Sequence, residues 1–176
     1  MRRLLFPIVF LCGILCGILF GNTAALAQGP GGDPFSRLRF LMGDWVAEGS
    51  SPTGTGHFEF TADVQGKVLI RRNHAEIPAA KPKPAVTHDD IMVIYNEGVV
   101  RATYLDSEGH VIRYTLVPGA SGTATFVSEA AHGTPLFRLS YKKLPDGRLG
   151  GKLELAQPDK PEDFKTYLEW TAKRKP

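Results

Sequence analysis

Glycine-centred turns recur at short, nearly even intervals through most of the chain. Gln65–Gly66, Asn96–Gly98, Gly119–Gly122 and Pro145–Gly147 each place a residue tolerant of positive φ between two short segments of alternating polarity. Such turns close tight β-hairpins. The spacing predicts ten strands, over roughly 43–49, 57–64, 67–77, 88–96, 99–106, 110–117, 123–130, 136–144, 148–156 and 163–173. Ten short strands joined by simple reversals, with no helix between them, favour an all-β, antiparallel up-and-down β-barrel, because closure removes exposed sheet edges.

Ahead of the first strand, Asp33 and Pro34 suit a helix start, and Phe35, Leu38 and Leu41 or Met42 recur at helical spacing. A short N-terminal capping helix is therefore expected. If every strand reverses the last, the tight glycine turns share one rim with this helix. The longer connections at 50–56, 78–87, 107–109, 131–135 and 157–162 then gather on the other rim, which becomes the open mouth.

The segment before residue 28 has another character. Arg2 and Arg3 precede an apolar run from Leu4 to Phe20, and Ala25–Ala27 offers small residues for cleavage. This is the pattern of a secretory signal peptide over residues 1–27, leaving a single domain over 28–176. A periplasmic or secreted location follows, with no membrane association after cleavage. Both cysteines, Cys12 and Cys16, fall inside the leader, so the mature chain has neither disulfide nor thiolate chemistry. It would carry 19 basic against 18 acidic side chains, which gives no electrostatic surface for nucleic acid.

Titratable residues crowd toward the predicted mouth. The five histidines, His57, His74, His88, His110 and His132, all lie at strand ends on that side, with Glu76, Asp89, Asp90, Asp106 and Glu108 among them. A three-residue loop at Ser107–Glu108–Gly109 would pair Asp106 with His110 and put Tyr104 and Tyr114 on the same face. By alternation His57 points outward, and one of Arg71 and Arg72 must do the same. The last strand places Phe164, Thr166, Leu168 and Trp170 on the inner face.

Two classes of function fit this pattern. A small-ligand binder would line its cavity with Trp45, Phe58, Phe60, Tyr104, Tyr114, Leu168 and Trp170, with His74, Asp106 and His110 orienting a small, partly apolar molecule. The same aromatics can instead simply fill the core, and the Asp–His pair can simply hold the turn. An enzyme or metal protein would draw on His74, His88, His110 and Asp90 as nitrogen and oxygen ligands, or on Asp106–His110 as a base with Tyr104 or Tyr114 as acid. No close metal-ligand spacing, phosphate-cradling loop or nucleophile motif accompanies them, and no cofactor or oligomeric state is specified.

At "FLMGDWVAEG" (Phe40–Gly49) the chain resembles the calycins, in which a short helix leads into a first strand carrying Gly-x-Trp; Gly43 and Trp45 match. The segments "GKVLIRRNH", "MVIY", "ATYLDSEGHVIRY" and "FKTYLEWTAKR" resemble the exported bacterial lipocalin-like branch of that superfamily. The resemblance implies a barrel with an internal cavity for a small ligand. The related nitrobindin-like haem proteins place an axial histidine near the C-terminus. Here the last histidine is His132, so the chain departs from that haem mode.

Overall fold

A computed structural model of the protein describes residues 32–48, 55–80 and 82–176. The expected leader and its cleavage site lie outside the described residues, as does most of the first long connection. The strands are β1 (Gly43–Glu48), β2 (Thr55–Asp63), β3 (Val68–Ile77), β4 (Val86–Asn96), β5 (Val100–Asp106), β6 (Val111–Val117), β7 (Thr123–Ser128), β8 (Leu136–Lys143), β9 (Leu149–Ala156) and β10 (Lys165–Arg174). Each pairs antiparallel with its sequence neighbours, and β1 pairs with β10, so the sheet closes into a ten-stranded up-and-down barrel.

The N-terminal helix is a single 3-10 segment, Ser36–Leu41. Its N-cap is Phe35 and not the expected Asp33; Asp33 instead shapes the turn just before it, its carboxylate accepting from Phe35 N at 2.9 Å and its carbonyl from Ser36 N at 3.0 Å. Phe35, Leu38 and Leu41 recur every third residue, which is one turn of a 3-10 helix, and all three are buried. Arg37 Nη2 donates to Gly119 O (2.9 Å), which fixes the helix at the tight-turn rim. Trp45 seals this closed end. Its Nε1 donates to Leu41 O at 2.7 Å, its ring stacks on Phe58, and the Arg174 guanidinium lies 4.6 Å above it. Gly43 has φ +111, a backbone conformation that favours glycine, and a Cβ there would also displace the Arg174 guanidinium, 2.3 Å away at Nη1.

From the stacked Trp45–Phe58 pair, edge-to-face contacts extend inward through Phe60 and Tyr141 to Trp170, with centroid separations of 5.5–6.4 Å along the chain. All of this aromatic chain but the half-buried Trp170, with Met92, Ile94 and Phe126, packs the closed half of the barrel almost without exposure. The open half differs. The inward-facing Tyr104, Ile112, Phe137 and Leu153 are only partly buried, and Leu168 is 39% exposed. Burial thus falls off toward the mouth.

One expectation about facing is corrected. Thr166 pairs with Glu154 while Leu168 pairs with Leu153, so Tyr167 is an extra residue in a β-bulge. Leu168 and Trp170 keep the inner face, but Phe164 and Thr166 are turned outward. Phe164 instead covers Arg138, whose guanidinium lies 4.1 Å from its ring and donates to Glu154 at 2.7 Å.

Candidate functional site

Cross-strand register brings the polar residues of β3, β4 and β5 together. Phe60 opposes Arg71, Arg71 opposes Met92, Asn73 opposes Asp90, and Asp90 opposes Asp106. Because Phe60 and Met92 face inward, so do Arg71, Asn73, Asp90 and Asp106. The segment Arg71–Pro78, "RRNHAEIP", is polar on both faces of its strand, each serving a different environment. Arg71 and Asn73 enter the barrel, whereas Arg72 and His74 leave it.

The inner group is a connected network. Arg71 Nη1 bonds Asp90 Oδ1, and Asn73 Nδ2 donates to Asp90 Oδ2 at 2.9 Å. His88 Nε2 lies 3.3 Å from the same oxygen and 3.1 Å from the Tyr104 hydroxyl, while Nδ1 faces Glu108, 2.9 Å from Oε2. The Asp106 side chain is only 5% exposed. Its Oδ1 accepts from the Glu108 and His110 backbone N–H groups (3.1 and 2.8 Å), and its Oδ2 accepts from His110 Nδ1 at 2.8 Å. The hairpin closes as expected, with Gly109 at φ +87. Ligand-type atoms of His88, Asp106 and Glu108 all lie within 4.8 Å of one another.

Burial and charge set the protonation of these groups. Burial disfavours a charged Arg71, but the Asp90 carboxylate beside it favours the charged form, and its pKa stays raised. Burial also works against a charged His88, yet Glu108, with Asp90 and Asp106 behind it, lifts its pKa above the ordinary imidazole value. Burial pushes the Asp106 carboxyl up, and the His110 and Glu108 contacts more than reverse this, leaving it below the usual range. Burial raises the phenols of Tyr104 and Tyr114 well above theirs and pushes Tyr141 up to about 12, so all three stay neutral at neutral pH. The Arg71 guanidinium opposes the effect of burial on the Tyr141 hydroxyl, and among the described residues neither Arg71 Nε nor Tyr141 Oη, both buried, has a hydrogen-bond partner of good geometry.

The sequence-derived site residues fall into four places. Trp45, Phe58, Phe60, Tyr114 and Trp170 belong to the packed closed half. Tyr104, Asp106 and Leu168 line the open half, with His88 and Asp90 inside beside them. His110 sits on the rim with its ring 66% exposed, reaching back to Asp106. His74 is on the outer face, its ring 5.3 Å from that of His57, so it shares the mouth's height but not its interior. Arg71, Asn73 and Glu108 complete the network; the sequence places Glu108 among the carboxylates of the mouth but gives no signal for Asn73.

His74 donates from Nδ1 to Asp89 Oδ1 at 2.7 Å and lies 3.5 Å from Glu76. The Asp89 hydrogen bond, followed by that of Glu76, raises its pKa above 6.5. Its stabilising contribution is therefore complete below the unfolded value near 6.5 and is lost as pH rises through the higher folded value. In NMR titrations the His74 ring protons should show a midpoint above 6.5 that Asp89→Asn lowers; an unchanged midpoint in that variant would remove Asp89 as the cause.

Comparison of the chain with protein-family models and with curated proteins finds no match.

Proposed function

We propose that the protein is an exported, calycin-like barrel that binds a small, partly apolar molecule in its open half. The observation that carries this reading is the contrast in burial along the barrel axis. The inward-facing wall of Tyr104, Ile112, Phe137, Leu153 and Leu168 keeps access to solvent above a fully packed aromatic floor. An apolar wall with a few convergent polar groups is how small-ligand sites are built, and here His88, Asp90 and Asp106 supply the polar groups. The closed ten-strand meander, the capping helix and the buried Trp45 two residues after Gly43 support the calycin comparison. The leader-like N-terminal sequence supports export, and the near-neutral balance of the mature chain supports a small molecule rather than nucleic acid as partner.

Two surface cavities of about 340 and 480 Å³ lie elsewhere, one along the β9–β10 connection and one beside the N-terminal helix. Neither shares the wall described above, so the two alternatives separate by mutation. Nile red should bind the purified protein with blue-shifted emission, and Tyr104→Ala and Leu168→Asp should each weaken it about 10-fold, or roughly 1.4 kcal/mol. No emission change, or binding indifferent to both substitutions, would reject the open half as a ligand site.

A further inference from the structure

We propose that His88, Asp106 and Glu108 form a binding site for a divalent transition-metal cation at the mouth of the barrel. This inference stands whether or not the barrel binds an organic ligand. Three observations carry it, beginning with the donor set itself. One imidazole nitrogen and two carboxylates already lie within 4.8 Å of one another. Ligand atoms about 2.0–2.2 Å from zinc sit roughly 3.3–3.5 Å apart, so the site needs only a modest contraction. Glu108 can supply it, because it occupies a hairpin tip with its side chain 42% exposed.

The second observation is the arrangement behind these ligands. A metal-bound histidine usually donates its other ring N–H to a carboxylate, which fixes tautomer and orientation. His88 has this arrangement. Nδ1 faces Glu108, while Nε2 lies 3.3 Å from Asp90, and Asp90 is held by the buried Arg71 and by Asn73. An arginine and a carboxylate inside a small barrel are costly to bury, and anchoring His88 gives them a purpose. Asp106 is supported in the same way, with Oδ1 on two backbone N–H groups and Oδ2 on His110.

The third observation is charge. Asp90, Asp106 and Glu108 surround His88, and Arg71 is the fixed cation bonded directly to one of them. The surplus of carboxylate favours a bound cation. A nitrogen donor beside two oxygens, and only three protein ligands, suits zinc or manganese better than calcium, which takes six or more oxygens. The remaining coordination positions would open toward the mouth.

Calorimetric titration of tag-free protein with Zn²⁺ tests this, with Ca²⁺ as the comparison ion. One equivalent of Zn²⁺ should bind and Ca²⁺ should not compete. His88→Ala and Glu108→Gln should each weaken binding by at least about 10-fold. His74→Ala, on the outer face, should leave it unchanged. Circular dichroism checks that His88→Ala remains folded; if it does not, Glu108→Gln decides, since a loop-tip carboxylate is not needed for folding. Absence of Zn²⁺ binding at 100 µM protein, binding that survives Glu108→Gln, or binding lost instead in His74→Ala would overturn the assignment.

Discussion

Asp90→Leu is expected to cost the barrel about 3–5 kcal/mol, because it leaves the Arg71 guanidinium buried without its carboxylate. The side chains of Arg71 and Asp90 are 8% and 3% exposed, so water cannot replace the lost partner. For a domain of this size the loss corresponds to a fall in Tm of roughly 10 °C or more. The double variant Arg71→Met/Asp90→Leu should recover most of that stability, since both charges leave and apolar side chains take their place among Phe58, Phe60 and Met92. Chemical denaturation of the three proteins tests the idea. A single variant as stable as wild type would mean the guanidinium finds water or another acceptor, and a double variant no better than the single would mean that lost shape, not stranded charge, sets the cost. Recovery without the pair would also indicate that Arg71 and Asp90 are kept for what they orient, His88, and not for stability.

The barrel was legible in the sequence because its information is local. Glycine turns fixed where the chain reverses, and the reversals fixed which ends share a rim, so all ten strands lie within about two residues of their expected bounds. The faces of the site residues were legible further than they were read. Asp106 opposite His110 puts Tyr104 inside; the three-residue turn from Asn96 to Val100 then pairs Tyr104 with Met92 and carries the inner face to Asp90 and His88. A turn of even length at Val64–Lys67 likewise sends Arg71 inward opposite Phe60 and His74 outward. What no local signal contains is the partnership of Arg71 with Asp90 across the long 78–85 connection, or the bulge at Tyr167. That bulge carries neither glycine nor proline to mark it, and it reversed the facing of Phe164. Such features are set by how strands fit around a closed barrel.

The Gly151–Trp170 pair shows how strict that fit is, and it leads to the second large effect. Gly151 lies directly opposite Trp170 on the inner face, and a Cβ at Gly151 would fall 2.2 Å from Trp170 Cε2. The indole lies over the glycine backbone and meets Tyr141 edge-on at 6.1 Å. Gly151→Val must therefore expel the ring or part β9 from β10, in a sheet whose closure leaves no free edge to absorb the shift. The upper range of overpacking costs applies, about 3 kcal/mol. Trp170→Ala should cost a similar amount by leaving a cavity. The two losses should not add. In the Gly151→Val/Trp170→Ala double variant the valine occupies the space the indole left, and a coupling of about 1–3 kcal/mol should appear in a double-mutant cycle. Strictly additive losses would show that the ring and the glycine do not share one site, and the β9–β10 register would then need to be redrawn.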